Sequence, residues 1–128
     1  MTILVVDDNQ DGAHSTAMLL TRQGHTVRTA FNGGTAVREA VTVQPQVVLL
    51  DINMSGINGY ETCRVLRKML AHRVRIIAVT GLESDEAKQN AKEAGFDAFL
   101  MKPLNWKALE SLLMEASIDF SESPSTGS

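Results

Sequence analysis

The sequence predicts an α/β fold, in which five strand–helix units build a parallel sheet with helices on both of its faces. Short apolar runs alternate with longer stretches of helical period along the chain, and this alternation is typical of βα units. The length of 128 residues suits a single domain. The 44% hydrophobic content is ordinary for a chain that folds around one core, so the composition does not indicate general disorder.

Five short runs have the composition of β-strands. The first, third and fourth runs are almost wholly apolar, as expected for strands that helices cover on both faces. The second run contains Thr26, Arg28 and Thr29, and this polarity predicts a strand at an edge of the sheet. The predicted strands cover residues 2–6, 26–31, 46–50, 75–79 and 98–101.

The segments that follow these runs carry apolar residues at spacings of three and four, which predicts amphipathic helices. In the third segment, Cys63, Leu66 and Leu70 follow one stripe, so we expect the Cys63 side chain to be buried or half-buried. Cys63 is the only cysteine, and no disulfide can therefore form within the chain. The predicted helices cover residues 11–23, 34–43, 59–70, 84–94 and 105–116.

The composition changes after the last predicted helix. From Ser117 onward the chain is rich in serine and ends in a stretch that cannot bury enough apolar surface to order itself. The sequence therefore predicts a domain over residues 1–116 and a disordered tail or linker over residues 117–128.

Charge and hydropathy argue against two kinds of partner. The net charge is −3 and the basic residues are scattered, so the sequence lacks the basic stripe that direct nucleic-acid binding requires. No apolar run approaches the roughly 20 residues that span a bilayer, and the amino terminus lacks the layout of a signal peptide. We therefore expect a cytoplasmic protein without a membrane segment.

Polar residues stand at the carboxyl ends of four of the five predicted strands. They are Asp7 and Asp8, Asp51, Thr80 and Lys102. Because the carboxyl ends of parallel strands lie on one edge of a sheet, where ligands of open α/β sheets bind, these residues should meet there. Each residue alone also has an ordinary explanation, such as a helix cap for Asp7 or Asp8 and a solvated charge for Lys102.

Three carboxylates brought close together repel one another and would have raised pKa values unless a cation offset them. Mg²⁺ is the natural compensation, because it prefers oxygen ligands and is usually held by one or two carboxylates together with phosphate oxygens. Lys102 adds a positive charge and Thr80 a hydroxyl donor, which suits phosphoryl transfer. A carboxylate can act as the nucleophile and carry the phosphoryl group as an aspartyl phosphate.

The sequence closely resembles the receiver domain of bacterial two-component response regulators, including the chemotaxis regulators. The matching segments are ILVVDDN at 3–9, LLDINM at 49–54, GYE at 59–61, AVTG at 78–81 and KP at 102–103. They occur in the order and spacing of the family, over residues 2 to about 116. The resemblance implies a flavodoxin-like (βα)₅ fold, whose doubly wound parallel sheet has the strand order 2-1-3-4-5.

The resemblance also implies the roles of the acidic residues. Asp51 would be the phosphoacceptor and a metal ligand, and Asp8 would bind Mg²⁺ directly, with Mn²⁺ or Ca²⁺ as substitutes. Asp7 would act largely through metal-bound water, and the main-chain carbonyl of Asn53 would be a further ligand. Lys102 would contact the phosphoryl group.

Two further features of the family map onto this chain. The Lys102–Pro103 peptide bond is expected to be cis. Thr80 and Phe99 resemble the switch pair of the family, in which the threonine hydroxyl moves toward the phosphoryl oxygens and the aromatic side chain turns inward. A simple core aromatic is the alternative interpretation of Phe99.

Some positions depart from the family pattern or vary within it. Ser55 stands where a proline is often found, and Gly81 where alanine or serine is common. Both residues are small and neither removes a chemical group, so we expect phosphorylation to be retained. Asn53 and Leu82 occupy places where side chains can influence the access of water to the phosphoryl group, and they should tune its lifetime.

By this resemblance the protein would be a signalling switch rather than an enzyme. A histidine kinase or a histidine phosphotransfer protein would donate the phosphoryl group, and an unidentified output partner would read the change on the face of the fourth helix, fifth strand and fifth helix. The chain would be a monomer or weak dimer, and it would act either as a separate regulator or as a module of a larger protein such as a hybrid histidine kinase.

Two other classes of protein share parts of the pattern. Phosphohydrolases of the haloacid dehalogenase type also form an aspartyl phosphate, but their Asp-x-Asp motif is broken here by Asn53. A flavodoxin-like nucleotide or flavin binder would need a phosphate-binding loop rich in Gly, Ser and Thr after the first strand. The acidic residues 7–11 would instead repel phosphate unless a metal intervened.

Overall fold

The computed structural model describes residues 1–54, 58–71, 73–81 and 84–121. Strands and helices alternate through these ranges, as the sequence predicts. The strands are β1 (Thr2–Val6), β2 (Thr26–Ala30), β3 (Val47–Asp51), β4 (Arg75–Thr80) and β5 (Ala98–Met101). The helices are α1 (Gln10–Arg22), α2 (Gly33–Val43), α3 (Gly59–Met69), α4 (Asp85–Ala94) and α5 (Trp106–Ser121).

The five strands form one parallel sheet in the order β2-β1-β3-β4-β5. The chain runs outward from β1 to β2 and then crosses back to β3, so the strand order reverses between β1 and β3. At one edge of the sheet Thr2 of β1 pairs with Thr26 of β2, and at the other edge Thr80 of β4 pairs with Met101 of β5. The predicted fold class, the strand order and the edge position of the second strand are confirmed.

Side chains on the two faces of the sheet form two apolar layers, because successive residues of a strand point to opposite faces. Leu4 and Leu50 belong to the layer that packs against α2, α3 and α4. Ile3 and Leu49 belong to the layer that packs against α1 and α5. Cys63 is fully buried in the first layer, as its place on the helix stripe predicts.

The carboxyl ends of three strands differ from the prediction, and the first of these, β2, ends one residue early, at Ala30. Strands β3 and β4 each continue by one residue, so Asp51 and Thr80 are the last residues of their strands rather than the first residues of loops. Parallel pairing extends to these positions, where Asp51 pairs with Val79 and Thr80 with Met101. Both polar side chains are therefore held by the rigid sheet.

Helix α5 continues to Ser121, five residues beyond its predicted end at residue 116, while the division into a domain and a tail or linker stays a prediction. The segment 117–120 contains neither proline nor glycine, and the helix-breaking Pro124 comes only later. Residues 122–128 lie outside the described part of the chain. Within the described ranges, no helix is both long and apolar enough to cross a membrane.

Candidate functional site

The polar residues at the carboxyl ends of the strands lie together at one edge of the sheet. Asp7 directly follows β1, Asp51 ends β3 and Lys102 directly follows β5. Backbone hydrogen bonds anchor these positions, since the Asp7 N–H donates to the Ala30 carbonyl at 3.1 Å and the Lys102 N–H to the Thr80 carbonyl at 2.7 Å. The edge lies beside the reversal between β1 and β3, where open α/β sheets bind ligands.

Asp51 is the most buried acid of this edge, with only 4% of its surface exposed. Its Oδ1 accepts a hydrogen bond from the Asn53 N–H at 2.8 Å, and its Oδ2 accepts one from Lys102 Nζ at 3.0 Å. Burial raises the pKa of Asp51, and although both donors lower it, the pKa remains above its ordinary value of 3.8. The two donors thus orient a carboxylate whose charge burial disfavours.

Lys102 also donates from Nζ to Asp7 Oδ2 at 3.1 Å, so one ammonium group bridges two carboxylates. Burial lowers the pKa of Lys102, but hydrogen bonds and charge from Asp51 and Asp7 outweigh it and bring the pKa above the ordinary 10.5. Lys102 therefore stays charged at neutral pH. The peptide bond between Lys102 and Pro103 is cis.

Asp7, Asp8 and Asp51, the acidic cluster, each contribute one carboxylate oxygen to a group in which all oxygens lie within 4.8 Å of one another. Asn9 supports the cluster, because its N–H donates to Asp7 Oδ1 at 2.9 Å while its side chain accepts from the Gly12 N–H and caps α1. The cap is thus Asn9, not Asp7 or Asp8. The grouped oxygens fit a hard divalent cation such as Mg²⁺.

Asn53 connects the acidic cluster to Thr80. Its side-chain amide donates to the Thr80 hydroxyl oxygen at 2.6 Å, while its main-chain N–H binds Asp51. Thr80 is fully buried, whereas Asn53 is exposed at the edge of the sheet. This bridge was not predicted, because the sequence indicated only a carbonyl ligand and an influence on the access of water for Asn53. Its carbonyl role stays a prediction.

Phe99 lies on β5 opposite Ala78, and Met101 lies opposite Thr80. Because paired residues of neighbouring strands point to the same face, Phe99 and Thr80 share one face of the sheet. Phe99 is half-buried against the core layer of Ala78, and with Phe96 it lines a cavity of about 380 Å³. This packing agrees with a core aromatic, and the switch role of Phe99 stays a prediction.

A crevice of about 280 Å³ opens beside Asp51, between α1 and the segment that joins β5 to α5. Gly12 and Ser15 of α1 line one side, and Pro103 and Leu104 line the other. The small side chains of α1 leave this space open. Asp51 therefore borders an open crevice although little of its own surface is exposed.

Gly59 supports the site, although the sequence analysis assigns it no role. It begins α3, and its N–H donates to the Ile52 carbonyl at 3.3 Å. A Cβ at this position would lie 2.5 Å from the Asp51 carbonyl oxygen and would also overlap the backbone of Ile52. Only glycine lets α3 start so close to the end of β3. The sequence feature that could have indicated this role is a glycine at the start of a predicted helix, because glycine has a low helix propensity.

Ser55, Leu82 and Gly81 depart from the family pattern or vary within it. Ser55 and Leu82 lie outside the described residues. Gly81 is exposed, and a Cβ added there would meet no other atom within 4 Å. The described surroundings therefore do not require glycine at this position, and the small residue leaves space beside the end of β4.

A buried aspartate flanked by two further acids and a lysine, at the reversal of a five-stranded parallel sheet, defines a class of phosphoacceptor signalling domains. The chain belongs to the family of response regulator receiver domains, whose family model matches residues 3–114. Members of this family bind Mg²⁺ at an acidic pocket and serve in signalling rather than as classical enzymes. The family membership argues against the phosphohydrolase and flavin-binding alternatives.

Similar proteins include both short and long chains. PilH of Pseudomonas aeruginosa is 35% identical over 108 residues, which cover 84% of this chain and 89% of PilH. The transcriptional regulatory protein AfsQ1 of Streptomyces coelicolor is 29% identical over 110 residues, which cover 86% of this chain and 48% of AfsQ1. A CheY-like receiver domain from Methanospirillum hungatei, solved by crystallography, matches with a TM-score of 0.86 at 28% identity, over 95% of this chain and 98% of that one.

Proposed function

We propose that this protein is a phosphorylation-dependent switch, in which a histidine kinase or a histidine phosphotransfer protein transfers a phosphoryl group to Asp51. The observation that carries the proposal is the central position of Asp51. The strand order places it between Asp7 at the end of β1 and Thr80 at the end of β4, and Lys102 Nζ lies 3.0 Å from its Oδ2. A phosphoryl group on Asp51 would therefore have a cation and a hydroxyl group beside it.

Mg²⁺ is the cation that we propose for the acidic cluster, with Mn²⁺ or Ca²⁺ as substitutes. Asp8, Asp51 and the main-chain carbonyl of Asn53 would hold it directly, and Asp7 would act through a metal-bound water. Lys102 meets two carboxylates of the cluster, those of Asp7 and Asp51, and the Asp8 carboxylate lies within the same group, so a divalent ion would offset the repulsion among them. When bound, Mg²⁺ would offset charge on the oxygens of the phosphoryl group.

The transfer exchanges one bond to phosphorus for another. A carboxylate oxygen of Asp51 forms the new P–O bond while the P–N bond of the donor phosphohistidine breaks, and the imidazole keeps the electron pair of that bond. Lys102 remains charged at neutral pH, so its ammonium group can stabilise the phosphoryl oxygens from reactant to product. Its bridging position fixes both the direction and the distance of that charge.

Thr80 and Phe99 are the residues that we propose as the switch. The Thr80 hydroxyl would turn toward the new phosphoryl oxygens, and Phe99 would turn inward from its half-buried position. The two residues share one face of the sheet on neighbouring strands, so a change at the end of β4 can reach β5. The face of α4, β5 and α5 would present the change to an output partner.

We also propose a cytoplasmic setting, a monomer or weak dimer, and a partner other than nucleic acid. The receiver unit would comprise residues 1–116, with the rest of α5 leading into a linker. A matching segment occupies 89% of PilH but 48% of AfsQ1, so related domains occur in proteins of both lengths. A module of a hybrid histidine kinase is therefore one setting for this chain.

The test of the phosphoacceptor is intact mass spectrometry after incubation with acetyl phosphate and Mg²⁺. We expect the native chain to gain the mass of one phosphoryl group, the gain to require Mg²⁺, and Asp51→Asn to show none. Asp85→Asn, which makes the same change at an exposed aspartate of α4, should behave as the native chain. An equal gain in Asp51→Asn, or no gain in the native chain, would refute the proposal.

A further inference from the structure

We propose that Asn53 is a positioning residue, whose side-chain amide holds the Thr80 hydroxyl in its unphosphorylated position and thereby sets the free energy of switching. This inference rests on the proposed function, in which Asp51 is the acceptor and Thr80 the switch residue. It assigns to the Asn53 side chain a role separate from metal binding by its carbonyl. The hydrogen bond of 2.6 Å between the Asn53 amide and the Thr80 hydroxyl oxygen carries it.

The hydrogen bond from the Asn53 amide matters because of where Thr80 lies. Thr80 ends β4 and has 0% of its surface exposed, so its hydrogen bond to the Asn53 amide lies away from bulk water. Asn53, by contrast, is exposed, and its amide can return to water when the bond breaks. A hydrogen bond to a buried hydroxyl group opposes any movement of that group that breaks the bond.

The Asn53 main chain is held at the acceptor, which limits how far its side-chain amide can move with the Thr80 hydroxyl. The Asn53 main chain is anchored by its N–H, which donates to Asp51 Oδ1 at 2.8 Å, and only two side-chain torsions separate that anchor from the amide. In this proposal, a shift of the Thr80 hydroxyl toward new oxygens on Asp51 breaks its bond to Asn53. The same residue that orients the acceptor thus restrains the switch.

The test uses beryllofluoride, a phosphoryl mimic that binds without covalent chemistry and is not hydrolysed. Its half-saturating concentration is measured by amide NMR at saturating Mg²⁺, so that neither metal affinity nor phosphoryl lifetime contributes. We expect Asn53→Ala to bind beryllofluoride about two- to tenfold more tightly, because a net hydrogen bond no longer opposes the switch. Asn90→Ala, the same change at an exposed asparagine of α4, should leave the value unchanged.

A double-mutant cycle separates this restraint from a general effect of the substitution. In Thr80→Val, or in Thr80→Ala if the valine variant does not fold, Asn53→Ala should no longer change the beryllofluoride affinity. Equal or weaker binding by Asn53→Ala, or the same gain in both backgrounds, overturns the inference. Those outcomes leave the proposed function intact, because the mass gain on Asp51 tests that function separately.

Discussion

A group of charged residues lies at each end of the parallel strands, and the two groups differ in how many carboxylates face one cation. At the carboxyl ends, Lys102 bridges two members of the acidic cluster. At the amino ends, Arg67 of α3 donates to the carbonyls of Val74 and Gly95 and to the carboxylate of Asp97, at distances between 2.6 and 2.9 Å. Both groups are half-exposed cation–carboxylate networks, with 36% of the Lys102 side chain and 31% of the Arg67 side chain accessible.

The difference between them is charge balance. The planar guanidinium of Arg67 meets two carbonyls and one carboxylate, and Asp97 Oδ2 also accepts from the Ile76 N–H at 2.8 Å. Donors and acceptors match there, so the network ties α3 to the starts of β4 and β5 without a ligand. In the acidic cluster the Lys102 ammonium group meets two carboxylates, those of Asp7 and Asp51, and the Asp8 carboxylate lies beside them, so negative charge is concentrated where a divalent cation could bind.

The largest contrast should appear in the rate of phosphorylation. Removing the bridging ammonium group in Lys102→Ala should slow phosphorylation by acetyl phosphate about 100-fold, as is typical when an electrostatic stabiliser of the transition state is lost. Arg67→Ala should change the rate little, because Arg67 lies at the opposite end of the strands. The rates are measured by mass spectrometry over time at saturating Mg²⁺. Similar losses in both variants would contradict the functional distinction.

Removing Arg67 should affect the stability of the fold rather than the rate of phosphorylation. Arg67→Ala removes hydrogen bonds to two carbonyls and a carboxylate, and it should lower the free energy of unfolding by about 2 to 3 kcal/mol. Arg64→Ala is the matched control, because Arg64 is exposed and, within the described part of the chain, forms an ion pair with Glu61 at 3.4 Å. That variant should change stability by less than about 0.5 kcal/mol. Urea unfolding of both proteins measures the difference.

The acids of the two groups should respond differently to neutralisation. Because burial raises the pKa of Asp51 above 3.8, its charged form is less favourable in the folded than in the unfolded state. Asp51→Asn should therefore stabilise the metal-free protein at pH 7 by about 1 kcal/mol, a typical size for one substitution. Asp97→Asn should instead destabilise it by about 1 kcal/mol, since it weakens the bond to Arg67.

The sign of the Asp51 effect can be checked by pH. The Asp51 carboxyl group has a higher pKa in the folded than in the unfolded state, so it binds protons more readily when the protein is folded. The stability of the wild type relative to Asp51→Asn therefore rises as the pH falls toward 3.8. Urea midpoints of both proteins at several pH values without Mg²⁺ should therefore converge at acid pH. Midpoints that diverge instead would mean that Lys102 and Asn53 outweigh burial at Asp51.

The smallest response should come from Cys63, which lies beside the Arg67 network. Its thiol is fully buried, and burial raises its pKa to about 11, so the reactive thiolate is scarce at pH 8. We expect negligible labelling by a thiol reagent in the native protein at pH 8, complete labelling in urea, and faster native labelling toward pH 11. Rapid native labelling at pH 8 would show that the amino ends of the strands open to solvent.

The sequence by itself determined the fold class and the place of the site. Short apolar runs alternate with stretches of helical period along the chain, and both are local patterns that can be recognised without knowledge of the packing. The acidic residues and Lys102 could be assigned to one edge because parallel strands leave their carboxyl ends together. The end of α5 was predicted too early, although helix ends are also set by local sequence. The serine-rich composition after residue 116 was given more weight than the absence of a helix-breaking residue before Pro124.

Only the tertiary structure decided which atoms meet. The Asn53 amide reaches Thr80 across 27 positions of sequence, and Arg67 reaches Asp97 across 30. Gly59 contacts the end of β3 because of the angle at which α3 begins. These contacts depend on strand register and helix packing, which long-range interactions set and no local pattern encodes. The sequence therefore indicated which edge of the sheet carries the acidic residues and Lys102. The packing decided which side chains and which atoms contact one another there.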